Sequence, residues 1–158
     1  MTPDDPAAAR RALWNRAVRL QAQREHSQHE LRSRLATHGP AEAIEDVLAR
    51  LVELDLQSDA RFARAWVRNR ASRNGVARLR HDLSQRGIDR ELAEQALAEL
   101  AGVEHSEEAR ARAVWQGRFD QAPADRREWA RQARFLQGRG FATAVVVRVL
   151  KELPDESA

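Results

Sequence analysis

Residues 76–100 read VARLRHDLSQRGIDRELAEQALAEL, and residues 129–153 read WARQARFLQGRGFATAVVVRVLKEL. In each, a Leu stands four residues before a Gly that closes a helix-like stretch: Leu83 before Gly87, and Leu136 before Gly140. Leu35 and Gly39 form the same pair nearer the N-terminus. One, five, nine, ten and thirteen residues after the Gly, the first stretch places Ile88, Leu92, Ala96, Leu97 and Leu100. The second places Phe141, Val145, Val149, Leu150 and Leu153 there. Twenty-one residues before the three glycines stand Val18, Trp66 and Phe119, and twenty-five before them Trp14, Phe62 and Trp115. The glycines are 48 and then 53 residues apart. A period of that size describes stacked helical units, because one such unit cannot bury its apolar face alone.

Outward from these stretches, apolar residues recur at three and four residues and strand signals are nearly absent. Trp14, Val18 and Leu20 mark a first helix. Ser27 with Glu30 three residues later is a capping box that starts a second, lined by Leu31 and Leu35. Gly39 is expected to supply a left-handed turn and Pro40 to open a third helix, with Ile44, Val47, Leu48, Leu51 and Leu54 on its stripe. Ser58-Asp59 starts the next unit, Asn74-Gly75 breaks it, and Asp89 caps its last helix. Ser106 opens the third unit, Pro123-Ala124-Asp125 its second helix, with Trp129 and Leu136 inside, and Pro154 ends its third. The expected fold is all-α: three tandem three-helix repeats forming an elongated, curved helical array. Residues 1–10 are expected as a flexible N-terminus, 11–56, 57–102 and 103–154 as the repeats, and 155–158 as a tail. The stretch from Phe119 to Asp125 also reads as mobile.

Composition excludes several function classes. There is no Cys among 158 residues, which removes disulfides, thiolate metal sites and a Cys nucleophile. No apolar run approaches the roughly 18 residues that span a membrane, and no signal-peptide pattern opens the chain, so the reading is a cytoplasmic protein with no membrane partner. Net charge is only +3, and Lys151 is the single Lys. Residues 10–34 hold seven Arg against two acids, 58–90 nine against three, and 110–139 eight against three. Residues 41–57 hold five acids and one Arg, and 91–108 six acids and no Lys or Arg. If equivalent helices align, Arg gathers on one side of the array and acids on another.

Catalytic signatures are missing. Gly138-Arg139-Gly140 lacks the spacing and ending of a phosphate loop. His26 and His29 are three apart, but Ser27 caps a helix between them, so they need not share a face. His38, His81 and His105 have no patterned partners, and no Ser-His-Asp arrangement is visible. Six of the eight aromatics sit at repeat or stripe positions, which favours packing over base stacking. The chain reads as neither an enzyme nor a holder of cofactor or metal. What remains are Arg clusters, above all Arg68, Arg70, Arg73, Arg78, Arg80 and Arg86 around Asn74-Gly75, suited to phosphate or to an acidic protein surface.

Arg24-Glu25-His26-Ser27 followed by Glu30-Leu31 resembles the RecX family. So does Leu51, Leu54 and then Ser58-Asp59-Ala60-Arg61-Phe62-Ala63, as does the ending Leu83, Gly87, Ile88. Asp55 stands where a Gly is more usual, and Ser58 where an Asp is. The likeness spans about residues 12–153. It implies a non-enzymatic, monomeric regulator in recombination, DNA repair and the SOS response. Such a protein binds the RecA recombinase filament on single-stranded DNA and reduces its ATPase, strand exchange and co-protease activity. Weak direct DNA binding is an added expectation, and a sequence-independent nucleic-acid-binding helical module is the alternative. The expected contact residues are Arg24, Arg32, Arg34, Arg68, Arg70, Arg73, Arg78, Arg80 and Arg86.

Overall fold

The computed structural model describes residues 5–100 and 106–151. Among them are nine α-helices and no strand: α1 Pro6–Gln23, α2 Gln28–Leu35, α3 Ala41–Glu53, α4 Asp59–Arg70, α5 Val76–Gln85, α6 Arg90–Ala98, α7 Glu107–Arg118, α8 Arg126–Gly138 and α9 Thr143–Lys151. Residues 1–4, His105, Leu153, Pro154 and the tail 155–158 lie outside the described residues. Residues 6–10, expected to be flexible, are helical because Asp5 caps α1 and Pro6 occupies its first turn. Ser27 closes the capping box with Glu30, and Ser58, Ser106 and Asp125 each accept a first-turn amide of α4, α7 and α8. No helix of the described residues is long and apolar enough to cross a membrane.

The chain forms two compact bodies. The N-terminal body holds the described residues up to Ala65 together with Leu83–Ala93, and the C-terminal body holds Trp66–Asp82 with those from Glu94 on. In the N-terminal body, α1, α2 and α3 pack on one another around Leu13, Ala17, Leu31, Leu35, Ile44, Val47, Leu48 and Leu51. In the C-terminal body, α7, α8 and α9 do the same around Ala111, Leu136, Phe141, Val146, Val149 and Leu150. Val18 and Trp129, read as core markers, are 37% and 38% exposed. Leu13 and Ala17 carry the buried face of α1, and Gln132, Ala133 and Leu136 that of α8.

Burial also corrects the register of the first helices. Leu13 and Ala17 stand 49 residues before the buried Phe62 and Trp66, so Val18 and Ala22 correspond to Val67 and Ala71. α4 begins at Asp59 and α7 at Glu107, a shift of 48, which sets Trp115 against Val67 and Phe119 against Ala71. The expected matches of Trp115 with Phe62 and of Phe119 with Trp66 do not hold. The third repeat's extra residues fall between α7 and α8 and in a longer α8. That connection is anchored: Phe119 and Pro123 are buried, and Gln132 Nε2 donates to the Gln121 carbonyl (3.2 Å).

One joint recurs in both bodies. In the N-terminal body, the Gln28 amide that opens α2 donates to Asp59 Oδ1 (2.9 Å), and Ser27 Oγ donates to the Arg86 carbonyl (2.8 Å). In the C-terminal body, the Val76 amide that opens α5 donates to Glu107 Oε1 (3.3 Å), and the Gly75 amide to the Arg139 carbonyl (2.9 Å). Each carboxylate is the first residue of its helix and satisfies an amide that α2 or α5 leaves unpaired. Gly87 and Gly140, both at positive φ, seat the turn against the helix start. A Cβ on Gly87 would lie 2.4 Å from His29 Cβ, and one on Gly140 2.4 Å from the Arg78 amide nitrogen. Gly39 is different. Its φ is not left-handed, and it is needed because a Cβ would meet Leu13 Cδ1 at 2.8 Å.

α3, α5 and α8 end in the same cap, with one left-handed residue and paired 5→2 and 6→1 hydrogen bonds. For α5 these are Gly87 to Ser84 and Ile88 to Leu83, and for α8 Gly140 to Gln137 and Phe141 to Leu136. In α3 the left-handed residue is Asp55, at φ 58°. A non-glycine pays steric strain there that a Gly avoids. Asp55→Gly is therefore expected to raise stability by about 0.5–1 kcal/mol, the strain relieved exceeding the added chain entropy. The ion pair lost with Arg61 is exposed, and such pairs contribute little. A urea midpoint at or below the parent's would refute this account of the turn.

Candidate interaction surface

The nine candidate arginines divide between the two bodies. In the N-terminal body, Arg24 forks onto Glu30 (3.2 and 3.1 Å) and donates to the Glu25 carbonyl (2.8 Å). Arg32 on α2 makes a bidentate pair with Glu45 on α3 (2.5 and 3.2 Å). Arg86 is half-buried in the joint. Arg34 is exposed, and its side chain makes no hydrogen bond or ion pair among the described residues.

In the C-terminal body, Arg70 lies flat over the buried Trp66 ring, 3.3 Å from its centroid. Arg78 pairs with Asp82 (3.2 Å) and reaches the Gly138 carbonyl (3.5 Å). Arg80 on α5 pairs bidentately with Glu94 on α6 (2.5 and 3.3 Å). Arg68 and Arg73, at the end of α4 and just past it, are exposed, and their side chains make no hydrogen bond or ion pair among the described residues. The sequence cluster therefore contains two kinds of arginine. Of its six members, Arg70, Arg78 and Arg80 hold the fold's own groups, Arg86 is half-buried, and Arg68 and Arg73 keep their side-chain donors for solvent or a partner.

The Arg32–Glu45 and Arg80–Glu94 pairs occupy corresponding places in two repeats. Hydrogen bonds from Arg32 hold the Glu45 carboxyl below its usual range, and Glu45 raises Arg32 in return. Glu94 raises Arg80 in the same way. The acidic segments thus neutralise part of the basic ones. The expected separation of bases from acids gives way to pairing between the second and third helices of a repeat. Each pair is about half exposed, a setting in which ion pairs contribute about 0.2–1 kcal/mol.

A second basic region, within the arginine-rich segment 110–139 but holding none of the nine candidates, covers α8. Arg126, Arg127 and Arg134 are exposed without ion pairs among the described residues. Arg118 and Arg131 lie 5.3 and 5.1 Å from the Phe119 ring, and Arg139 lies 5.5 Å from Phe135. The two Phe rings meet edge to face at 5.4 Å. Hydrogen bonds from Arg131 and Gln132 hold the Glu128 carboxyl down at about 2. Trp129 is exposed on the same helix. Its placement in the apolar stripe gave no signal of this, because Trp129 stands three and four residues before the buried Gln132 and Ala133.

The histidine pair has structural roles. His26 is buried, its Nδ1 2.9 Å from the Arg24 carbonyl, and burial lowers its pKa. His29 packs under Gly87 instead. Arg110 is buried as well and donates through Nε to the Ala71 carbonyl (2.8 Å), and burial lowers its pKa too.

Three family models match in consecutive order: RecX, first three-helix domain, over residues 14–51; RecX, second three-helix domain, over 58–97; and RecX, third three-helix domain, over 106–150. The chain is 45% identical over 144 residues to the regulatory protein RecX of Ralstonia nicotianae, covering 89% of this chain and 87% of the relative. It is 43% identical over 150 residues to the regulatory protein RecX of Pseudomonas syringae pv. tomato, covering 93% and 92%. The crystal structure of RecX from Lactobacillus salivarius superposes with a TM-score of 0.78 at 21% identity, covering 93% of this chain and 97% of that one, a likeness of fold.

Proposed function

Because the chain belongs to the RecX family, we propose that it is a regulatory protein of the RecA recombinase. It binds the RecA filament on single-stranded DNA and lowers the filament's ATPase, strand exchange and co-protease activity. The observation that carries this reading is the run of three RecX domains through nearly the whole described chain. Repeated units engage a repeating filament through many weak contacts, and these add through effective concentration. The protein acts by binding and not by chemistry, consistent with its lack of a catalytic motif in the sequence.

Arg34, Arg68 and Arg73 are the first contacts in this reading, because their guanidinium groups are not engaged within the fold. Arg24, Arg32, Arg78 and Arg80 give up an internal ion pair to contribute, and Arg70 gives up the Trp66 face. The test is Arg68→Gln/Arg73→Gln with helicity checked. Inhibition of the recombinase's DNA-dependent ATPase is expected to weaken several-fold at low salt, and the gap from the parent to narrow as salt rises and screens the contacts. Arg80→Gln alone is expected to weaken inhibition less. Equal inhibition by the double variant at every salt concentration would move the contact elsewhere.

The α8 surface favours a second reading, direct binding of single-stranded nucleic acid. An exposed Trp129 beside Arg126 and Arg127 offers a stacking face and phosphate donors together. Titration with DNA alone separates the two readings.

A further inference from the structure

The first repeat leaves an apolar groove open. Val18, Gln21 and Ala22 of α1, Leu51 of α3 and Leu56 of the α3–α4 turn line a volume of about 220 Å³. Gln21 Nε2 donates to the Leu56 carbonyl (2.8 Å), which holds the turn against α1.

Corresponding positions on α4 are covered where those of α1 are open. Leu56 also has the same cap position as Ile88 and Phe141, which follow the second helices of their repeats where Leu56 follows a third, and it is 44% exposed where they are 6% and 3%. Val18 is exposed where its counterpart Val67 is only 2% exposed, and Ala22 is exposed where Ala71 is buried. Val52 and Leu54, beside the groove in sequence, are exposed as well. The left-handed Asp55 stands between Leu54 and Leu56, a costly conformation at a non-glycine.

Size and charge select the occupant. The groove is smaller than the ~300–1,000 Å³ typical of small-molecule pockets, so it takes a side chain and not a cofactor. The turn carries Glu53 and Asp55, whose side chains are 68% and 86% exposed, within a segment of five acids and one Arg. Arg50 and Arg61 partly neutralise them, and Arg19 stands next to Val18 on α1. A carboxylate-bearing turn repels phosphate and attracts a base. We propose that this groove receives one bulky apolar side chain of a partner protein, presented beside a basic residue. The proposal rests on the recombinase reading and deepens it: the first repeat adds an apolar contact to those of the free arginines.

The test uses the full chain. Ala22→Trp fills the groove from within, and Leu56→Gln removes one apolar wall at an exposed position. Circular dichroism and melting establish that the fold persists, and Leu56→Gln stands alone if Ala22→Trp does not fold. Both variants are expected to lose roughly tenfold in affinity for the recombinase filament, as when an apolar anchor loses its pocket. Affinity for DNA alone is expected to stay unchanged. If the variants bind the filament like the parent, the groove assignment falls and the recombinase reading stands. A parent that binds no filament overturns both. A loss of DNA affinity in the same variants would make nucleic acid the occupant. A parent dimer in sedimentation that the variants lose would make it a second copy, and either result overturns the proposal.

Discussion

Gly140→Ala is expected to lower stability by about 2–6 kcal/mol, because two costs of about 1–3 kcal/mol each coincide at one residue. Its φ of 91° lies where an L side chain is strained. The added Cβ would fall 2.2 Å from Arg78 Cβ and 2.4 Å from the Arg78 amide nitrogen. Backbone cannot move aside there without opening the joint, since the Arg139 carbonyl accepts the Gly75 amide and the Val76 amide donates to Glu107. At roughly 2–4 °C per kcal/mol for a chain of this size, the melting temperature should fall by about 4–24 °C. Gly75→Ala should behave similarly, because its Cβ would lie 2.4 Å from the Gly140 carbonyl oxygen. Gly138 is the internal control. Nothing lies within 4 Å of its Cβ position and it ends α8, so Gly138→Ala should leave the melt unchanged or raise it slightly. A Gly140→Ala melt that matches the Gly138→Ala melt would mean the joint does not hold the repeats.

Trp66→Ala is expected to cost about 3–5 kcal/mol, as for other large core truncations. The ring is 8% exposed, and one face is covered by the Arg70 guanidinium at 3.3 Å. Removing the indole leaves a cavity and frees the cation it shielded. Arg70→Ala should cost less, since the cation–π contact contributes about 0.5–2 kcal/mol. Denaturant unfolding of the two variants measures both. A loss within error for Trp66→Ala would show that the indole is not packed and would restore base stacking as its role. The proximity of Arg70 to Trp66 also means that a charge-removal experiment at Arg70 reads stability and binding together, which is why Arg68 and Arg73 are the cleaner positions.

The helices, their caps and the repeat were legible because each is a local matter. A capping box such as Ser27 with Glu30 spans three residues. Gly87 and Gly140 each follow a buried Leu by four, and apolar spacing of three and four writes the helical face directly into the sequence. Gly39 misled because it shares the spacing but not the conformation: a Gly answers both for a positive φ and for a close approach, and spacing cannot separate the two. The first-helix register misled for a related reason. Counting back from Gly140 carried the longer α7–α8 connection into the alignment, and only the observed helix starts placed Trp115 against Val67.

By itself, then, the sequence determined an all-helical repeat, its caps, its arginine-rich segments and its likeness to RecX. Tertiary structure alone decided which arginines are spoken for and which apolar residues are left uncovered. Glu45 lies thirteen residues from Arg32 and Glu94 fourteen from Arg80, on different helices, so no helical period announces the pairing. Val18 and Val67 are the same residue type in corresponding places, yet one is open and the other closed. The physical reason is common to both cases. Local hydrogen bonds and apolar period fix the conformation of a segment, whereas the partner of a charge and the cover of a side chain come from distant residues that only packing brings near.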